Sequence, residues 1–180
     1  MRVAAKMHEP AIGATSDWRT PPDYFGSKAI DAVFDMDVAS PGLDKCFVPA
    51  KACFTVEEDG LKQPWLPWWL IFMNPPFGGR NGHVPWLIRF FDHANGIAIV
   101  RAYTSSAWFH KYVVPRAQVL LFPRGKTKFV RPWPDNSIGM APGHGVVLIG
   151  MGEVACAALL RSGLGFCASI VSEISARRQP

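Results

Sequence analysis

The sequence predicts an α/β fold, a mostly parallel sheet with helices on both faces. Three observations carry that reading. Short apolar runs of strand length recur along the chain at Trp68–Met73, Gly96–Tyr103, Gln118–Phe122 and Gly145–Gly150. A stretch with helical spacing, His83–His93, lies between two of them, so strands alternate with helices. The 16 Pro and 16 Gly cut the chain into many short elements, which argues against a helical bundle.

Taken in order, residues 1–15 show no period and read as a loose tail, 16–175 as one domain, and 176–180 as a second tail. Thr20 before Pro21 reads as a helix N-cap with proline at the first helical position. Phe25, Ala29, Ile30 and Val33 then follow a helical spacing over residues 22–34. Phe34–Ala39 alternates apolar and acidic residues as a strand does, and the chain turns at Ser40-Pro41-Gly42. Residues 43–63 are mixed and receive no element. Trp68–Met73 reads as a strand buried on both faces, and it stops at Asn74-Pro75-Pro76 because proline cannot donate to a ladder. A loop at Gly78–Gly82 precedes the helix His83–His93, and a short helix is expected near Ser106–Val114. Lys126–Trp133 reads as a basic extended arm, and residues 153–174 as a helix, or a helix and a strand around Gly163–Gly165.

Composition bounds the function. With 180 residues at 49% hydrophobic, the chain can bury one sizeable core, which excludes a disordered segment. The net charge of +5 is unevenly spread. Residues 78–131 hold 9 Lys/Arg against the single acid Asp92, whereas residues 1–77 hold 7 against 10 Asp/Glu. A middle segment this basic suits a polyanion such as DNA, and equally an ordinary solvated face. Cys46, Cys53, Cys156 and Cys167 form no C-x-x-C pair and have no His at ligand spacing, so no zinc site is expected. No membrane-spanning stretch and no signal peptide are read, and reduced thiols in a cytoplasmic protein fit this pattern.

Asn74-Pro75-Pro76-Phe77 carries the chemistry. An exocyclic amino group such as N6 of adenine is a poor nucleophile because its lone pair is delocalised into the ring. The Asn74 side-chain oxygen and the Pro75 carbonyl can accept its two hydrogens. Two consecutive prolines fix φ and hold that carbonyl still, and Phe77 offers a face for an extruded base. The plain alternative is a strand-ending Asn-Pro turn. Other chemistries find less support. Ser105-Ser106 with His110 lacks a nucleophile elbow, and no cysteine adjoins a proline as a C5-cytosine enzyme would need. His83, His93 and His144 stand apart from one another and read as loop or surface residues.

A wider series surrounds this tetrapeptide. It comprises Trp18-x-Thr20-Pro21, Phe34-Asp-Met-Asp37-Val-Ala39-Ser40, Phe54-Thr55 with Glu57-Glu-Asp59-Gly-Leu61, Thr104 near Trp108-Phe109, and Phe122-Pro-Arg124-Gly125-Lys-x-Lys-Phe129. Over about Trp18 to Gly165 the chain resembles the phage-type DNA N6-adenine methyltransferase family, small enzymes carried by bacteriophages and prophages. The resemblance implies a Rossmann-like fold dependent on S-adenosylmethionine, and methyl transfer to adenine N6 in double-stranded DNA without a metal or a covalent intermediate. It places Asn74, Pro75, Pro76 and Phe77 in the catalytic loop, with Asn74 also beside the cofactor. It places Thr20, Pro21, Asp37, Val38 and Ala39 at the cofactor's methionine end, and Arg124, Lys126, Lys128 and Arg131 on DNA. Glu57, Glu58 and Asp59 are the candidates for the acid that holds the ribose. Val38-Ala39-Ser40 stands where larger methyltransferases have a glycine-rich turn, and the 37 positions from Asp37 to Asn74 leave little room for a second strand. Two readings stay open beside this one: an amino-group methyltransferase acting on RNA or protein glutamine, and a non-catalytic DNA-binding module. The sequence carries no signal for an oligomeric state.

Overall fold

In the computed structural model, the described residues are 18–76, 82–132, 135–139 and 144–170. The expected tails, Phe77 and most of the loop after it lie outside them. A seven-stranded sheet organises the chain. Its strands are β1 (Phe34–Asp37), β2 (Ala50–Cys53), β3 (Ile71–Met73), β4 (Gly96–Arg101), β5 (Val119–Pro123), β6 (Val146–Met151) and β7 (Gly165–Ser169), in the order β2-β1-β3-β4-β6-β5-β7. The first four pair in parallel. The expectation of a mostly parallel sheet fails beyond β4, where β6 pairs antiparallel with β4 and β5, and β7 antiparallel with β5. Strand runs show where strands are, not which way they point. The reversal comes from β6 entering between β4 and β5, two strands that both run opposite to it.

Alternation in the strands divides the core into two layers. Ile71, Met73, Ala98, Val100, Val147 and Ile149 pack with Trp86, Leu87, Phe90 and Phe91 of the helix α1 (Val84–His93). Phe34, Phe72, Ile97, Ile99 and Leu148 pack on the other face with Ala155, Ala158 and Leu159 of the helix α2 (Glu153–Arg161). Phe72 is wholly buried between Phe34 and Phe25, with ring centroids 5.3 and 5.4 Å away. Pro85 starts α1 and Ala94 ends it with φ at 59°. The chain can then enter β4 only as glycine, because a Cβ on Gly96 would stand 2.2 Å from the Ile71 carbonyl oxygen.

Several local expectations are corrected. Residues 22–34 form no helix beyond a 3-10 turn at Pro22–Tyr24, and Thr20 makes no capping bond to it. Gly26, at φ 109°, carries the chain out of the turn, and Gly26 N bonds back to the Ile30 carbonyl. The unassigned stretch 43–63 contains β2, whose Ala-Lys-Ala-Cys has no β-branched or aromatic residue to announce it. Only Ile71–Met73 of the Trp68–Met73 run is strand. The short helix expected near Ser106–Val114 holds a π-helical turn at Phe109–Val113. His83 is buried against Trp108, with ring centroids 4.4 Å apart. Among the described residues no helix is long and apolar enough to cross a membrane.

The topology fixes where a ligand can lie. After β1 the chain crosses to β2 on one side, then returns past β1 to β3 on the other. The carboxyl ends of β1 and β3 therefore diverge, and parallel sheets bind ligands in the crevice opened by such a switch.

Candidate active site at the switch point

A cleft of about 880 Å³ opens at that position, within the roughly 300–1,000 Å³ of small-molecule sites. Asp37, Val38, Ala39 and Ser40 line it from the end of β1, and Asn74 and Pro76 from the end of β3. The loop after β1 is held closely. Val38 N donates to Phe72 O at 3.0 Å, Ser40 N to Phe54 O at 3.0 Å, and Ala39 N to Asp37 Oδ1 at 3.3 Å. Gly42 N donates to Ser40 Oγ at 3.2 Å. Side chains of the loop thus bend it where a glycine-rich turn would otherwise serve. The missing glycine is supplied from the facing segment: a Cβ on Gly60 would stand 2.0 Å from the Val38 carbonyl oxygen and 3.2 Å from the Trp86 ring.

Asp37 is 2% exposed. Burial pushes its carboxyl up to about 7, against the opposing pull of the Ala39 N–H and the Ser40 side chain. Burial likewise raises the thiols of Cys46 and Cys53, which neighbour the same serine. All four cysteines are free. A carboxyl group poised in this way accepts a cationic ligand group readily, because the cation stabilises its ionised form.

The three acidic candidates separate. Glu57 and Asp59 line the cleft, whereas Glu58 is not among its lining residues. Its Oε2 accepts from Thr55 N at 2.8 Å and Thr55 Oγ1 at 3.2 Å, so it closes a turn. Asp59 is paired with Lys62 at 2.9 Å and accepts from Leu61 N. Both lie in the segment after the carboxyl end of β2, the strand for which the short spacing left little room.

The Asn74 amide is oriented by the segment before the 3-10 turn. Its Nδ2 donates to Trp18 O at 2.9 Å and to Thr20 Oγ1 at 3.3 Å. Thr20 therefore meets the Asn74–Pro76 loop rather than capping a helix. These bonds turn the acceptor Oδ1 away from both partners. Thr20 lines the cleft and is buried; Pro21 is buried beside it but is not among the lining residues. Pro75 is buried and Pro76 half-buried. Phe77 lies outside the described residues.

The basic arm is a strap, pinned along its length. Thr127, Phe129 and Val130 are buried, while Arg124, Lys126, Lys128 and Arg131 face outward. Tyr24 Oη and Thr127 Oγ1 share a hydrogen bond. Val130 pairs with Arg19 in both directions, each N–O distance being 3.0 Å. Arg131 is bridged to Asp135 at 3.2 Å, so its charge is partly engaged. Residues that the sequence did not single out also enter the site. Arg19, Lys45, Gly60 and Pro132 line the cleft; Arg19 and Gly60 fell inside quoted motifs and Pro132 inside the basic arm, but none was given a role there. Among the described residues no cluster of three or more His, Cys, Asp or Glu is arranged to hold a metal.

Fold and cleft together define an α/β protein with a ligand site at a switch point, and a rigid Asn-Pro-Pro loop on its rim. Residues 12–147 match the sequence model of the DNA N-6-adenine-methyltransferase (Dam) family. The chain belongs to that family, whose members are DNA adenine N6-methyltransferases. Neither a curated protein nor a solved structure matches the chain.

Proposed function

We propose that the chain transfers the methyl group of S-adenosylmethionine to N6 of adenine in double-stranded DNA, on a Rossmann-like methyltransferase sheet. The observation that carries this reading is the convergence of the Asp37–Ser40 loop, Glu57 and Asn74 on one cleft. The donor set suits the cofactor. Asp37 offers a buried carboxyl for the methionine ammonium, Glu57 a carboxylate for the ribose hydroxyls, and Val38, Leu61 and Trp86 an apolar wall for the adenine ring.

When bound, the cofactor supplies an electrophilic methyl group on a sulfonium that leaves as a thioether. Asn74 Oδ1 and the Pro75 carbonyl accept the two N6 hydrogens and draw the nitrogen lone pair out of the ring. With the two hydrogens held in this way, N6 would face the methyl group that the cofactor would supply, and its surplus proton would leave to water. No charged base is required, so positioning supplies most of the acceleration. The strap's outward cations, Arg124, Lys126 and Lys128, hold the phosphate backbone, with Arg131 a weaker contributor because of Asp135.

The test is incubation of the full chain with tritiated S-adenosylmethionine and unmethylated double-stranded DNA, followed by nucleoside analysis. Label in N6-methyladenine is the expected result. Label confined to RNA or protein, or no cofactor binding at all, would overturn the assignment. A second experiment checks the strap. Replacing Arg124, Lys126 and Lys128 with Ala is expected to weaken DNA binding on every sequence, and to shrink the salt slope of log affinity by about one unit per lost phosphate contact. Cofactor affinity should not move. An unaltered slope would make this face merely solvated.

A further inference from the structure

We propose that Arg19 is a positioning residue for methyl transfer, its buried guanidinium tying the DNA-facing strap to the segment that orients the Asn74 amide. The inference rests on the function proposed above. Arg19 is 4% exposed, and among the described residues it takes part in no ion pair. Burying an unpaired charge is costly unless its hydrogen bonds are met. Four of its five N–H donors are met within the described residues, by oxygens of three separate segments. Nη1 donates to Lys45 O at 2.6 Å, in the stretch that follows the cofactor loop. Nε donates to Arg131 O at 3.1 Å and Nη2 to the same carbonyl, at the end of the strap. Nη2 also donates to Asn136 Oδ1 at 2.5 Å.

The backbone of the same residue works in the opposite direction. Arg19 N and O both pair with Val130 of the strap. The residues on either side of Arg19 supply both acceptors for Asn74 Nδ2, the Trp18 carbonyl and the Thr20 hydroxyl. Within three consecutive residues the chain therefore grips the strap, the cofactor-side loop and the catalytic amide. Any movement of the strap on DNA is passed to Asn74 through covalent neighbours. Four bonds to three acceptors, two of them shared by one carbonyl, need the planar fork, whereas a lysine ammonium has three donors clustered on one nitrogen. Had Arg19 served only to anchor the strap, the backbone pair with Val130 and the buried Phe129 would already do so.

The test uses the full chain as Arg19→Lys and as Asn136→Gly. The second variant removes one acceptor at a position whose φ of 52° glycine adopts freely, so folding is spared. Thermal melts establish folding, calorimetry gives cofactor affinity, and single-turnover methylation at saturating cofactor and DNA gives the chemical step. Arg19→Lys is expected to slow that step by between about tenfold and 100-fold, the effect of displacing a reacting group by about 1 Å. The salt slope of DNA binding should stay within about twofold of wild type, since the guanidinium is buried, and saturating cofactor keeps any change in its affinity out of the measured step. Asn136→Gly should show a smaller loss of the same kind. Normal single-turnover rates per folded molecule in both variants would overturn the inference, as would a loss seen only as weaker cofactor or DNA binding. Should Arg19→Lys fail to fold, a wild-type rate in Asn136→Gly decides against it. A wild-type chain that transfers no methyl group removes the proposed function itself and this inference with it.

Discussion

Asn74→Ala is expected to lower methyl transfer by on the order of 100-fold or more, the usual cost of removing one oriented group from a reacting centre. The variant loses the Oδ1 acceptor for one N6 hydrogen, so the loss belongs to the chemical step. It also loses the two Nδ2 bonds to Trp18 and Thr20, each worth about 1 kcal/mol net in a folded protein. A modest fall in melting temperature and a few-fold weaker cofactor binding should therefore accompany the catalytic loss without explaining it. Asn74→Asp separates the two roles. It keeps an acceptor for the substrate but sets a carboxylate against the Trp18 carbonyl, so it should retain more activity than alanine at lower stability. Rapid-quench measurement of a single turnover is the deciding assay. A folded Asn74→Ala protein that methylates adenine at the wild-type rate would reduce the loop to an ordinary turn.

The second large effect is a pH dependence seated at Asp37. In the free protein its carboxyl titrates at about 7 because burial penalises the charge. A bound ammonium favours the ionised form, so cofactor affinity should rise with pH towards about 7, and fall again as the free cofactor's own α-ammonium loses its proton at about 8. The gain is tenfold for each unit by which the bound cation lowers the carboxyl pKa. Calorimetry in buffers of different ionisation heat should record proton release on binding at pH 6, and proton uptake by the cofactor's amino group at pH 8. Asp37→Asn should abolish both the release and the rise, and weaken binding at high pH. Folding stability moves the other way. Between the ordinary carboxyl value near 4 and about 7, the folded chain holds a proton that the unfolded chain has lost. The Asp37 contribution is therefore full below about 4, shrinks as pH rises, and is gone above about 7. A stability profile left unchanged by Asp37→Asn would show that the carboxyl is ionised throughout.

How much of this was legible in the sequence depends on the range of the interaction concerned. Ile71–Met73 and Val146–Met151 announced themselves because a strand packed between layers must be apolar, and Phe34–Asp37 through its alternation of apolar and acidic residues. Val84–His93 did so because one face alone is buried. β2 was silent: it lies at the sheet edge, and its Ala-Lys-Ala-Cys carries no β-forming side chains. The antiparallel half was equally hidden, since direction is settled by which strand a distant segment joins. Asn74 and Asp37 were readable from their places at strand ends. Thr20 was found for the wrong local reason, because a threonine before proline resembles a cap whether its hydroxyl meets its own backbone or a side chain 54 positions away. Arg19 and Gly60 gave no signal of their own, since their partners, Arg131 and Val38, are remote in sequence.

The place of β6 in the sheet has a consequence for how the chain must be made. Both sheet neighbours of β5, β6 and β7, lie later in the sequence. As the nascent chain emerges from its amino end, Val119–Pro123 has no strand to join until residue 146 and beyond are free of the ribosome. β4 waits with it, having one edge covered by β3 and the other bare. When Val146–Met151 arrives, it covers the bare edge of β4 and one edge of β5 in one step, and so joins the lone strand to the four-stranded sheet. Synthesis halted before Val146 would leave one edge of β4 and both edges of β5 exposed, the kind of surface that recruits other chains. The family match ends at residue 147, at the second residue of the strand that closes the sheet.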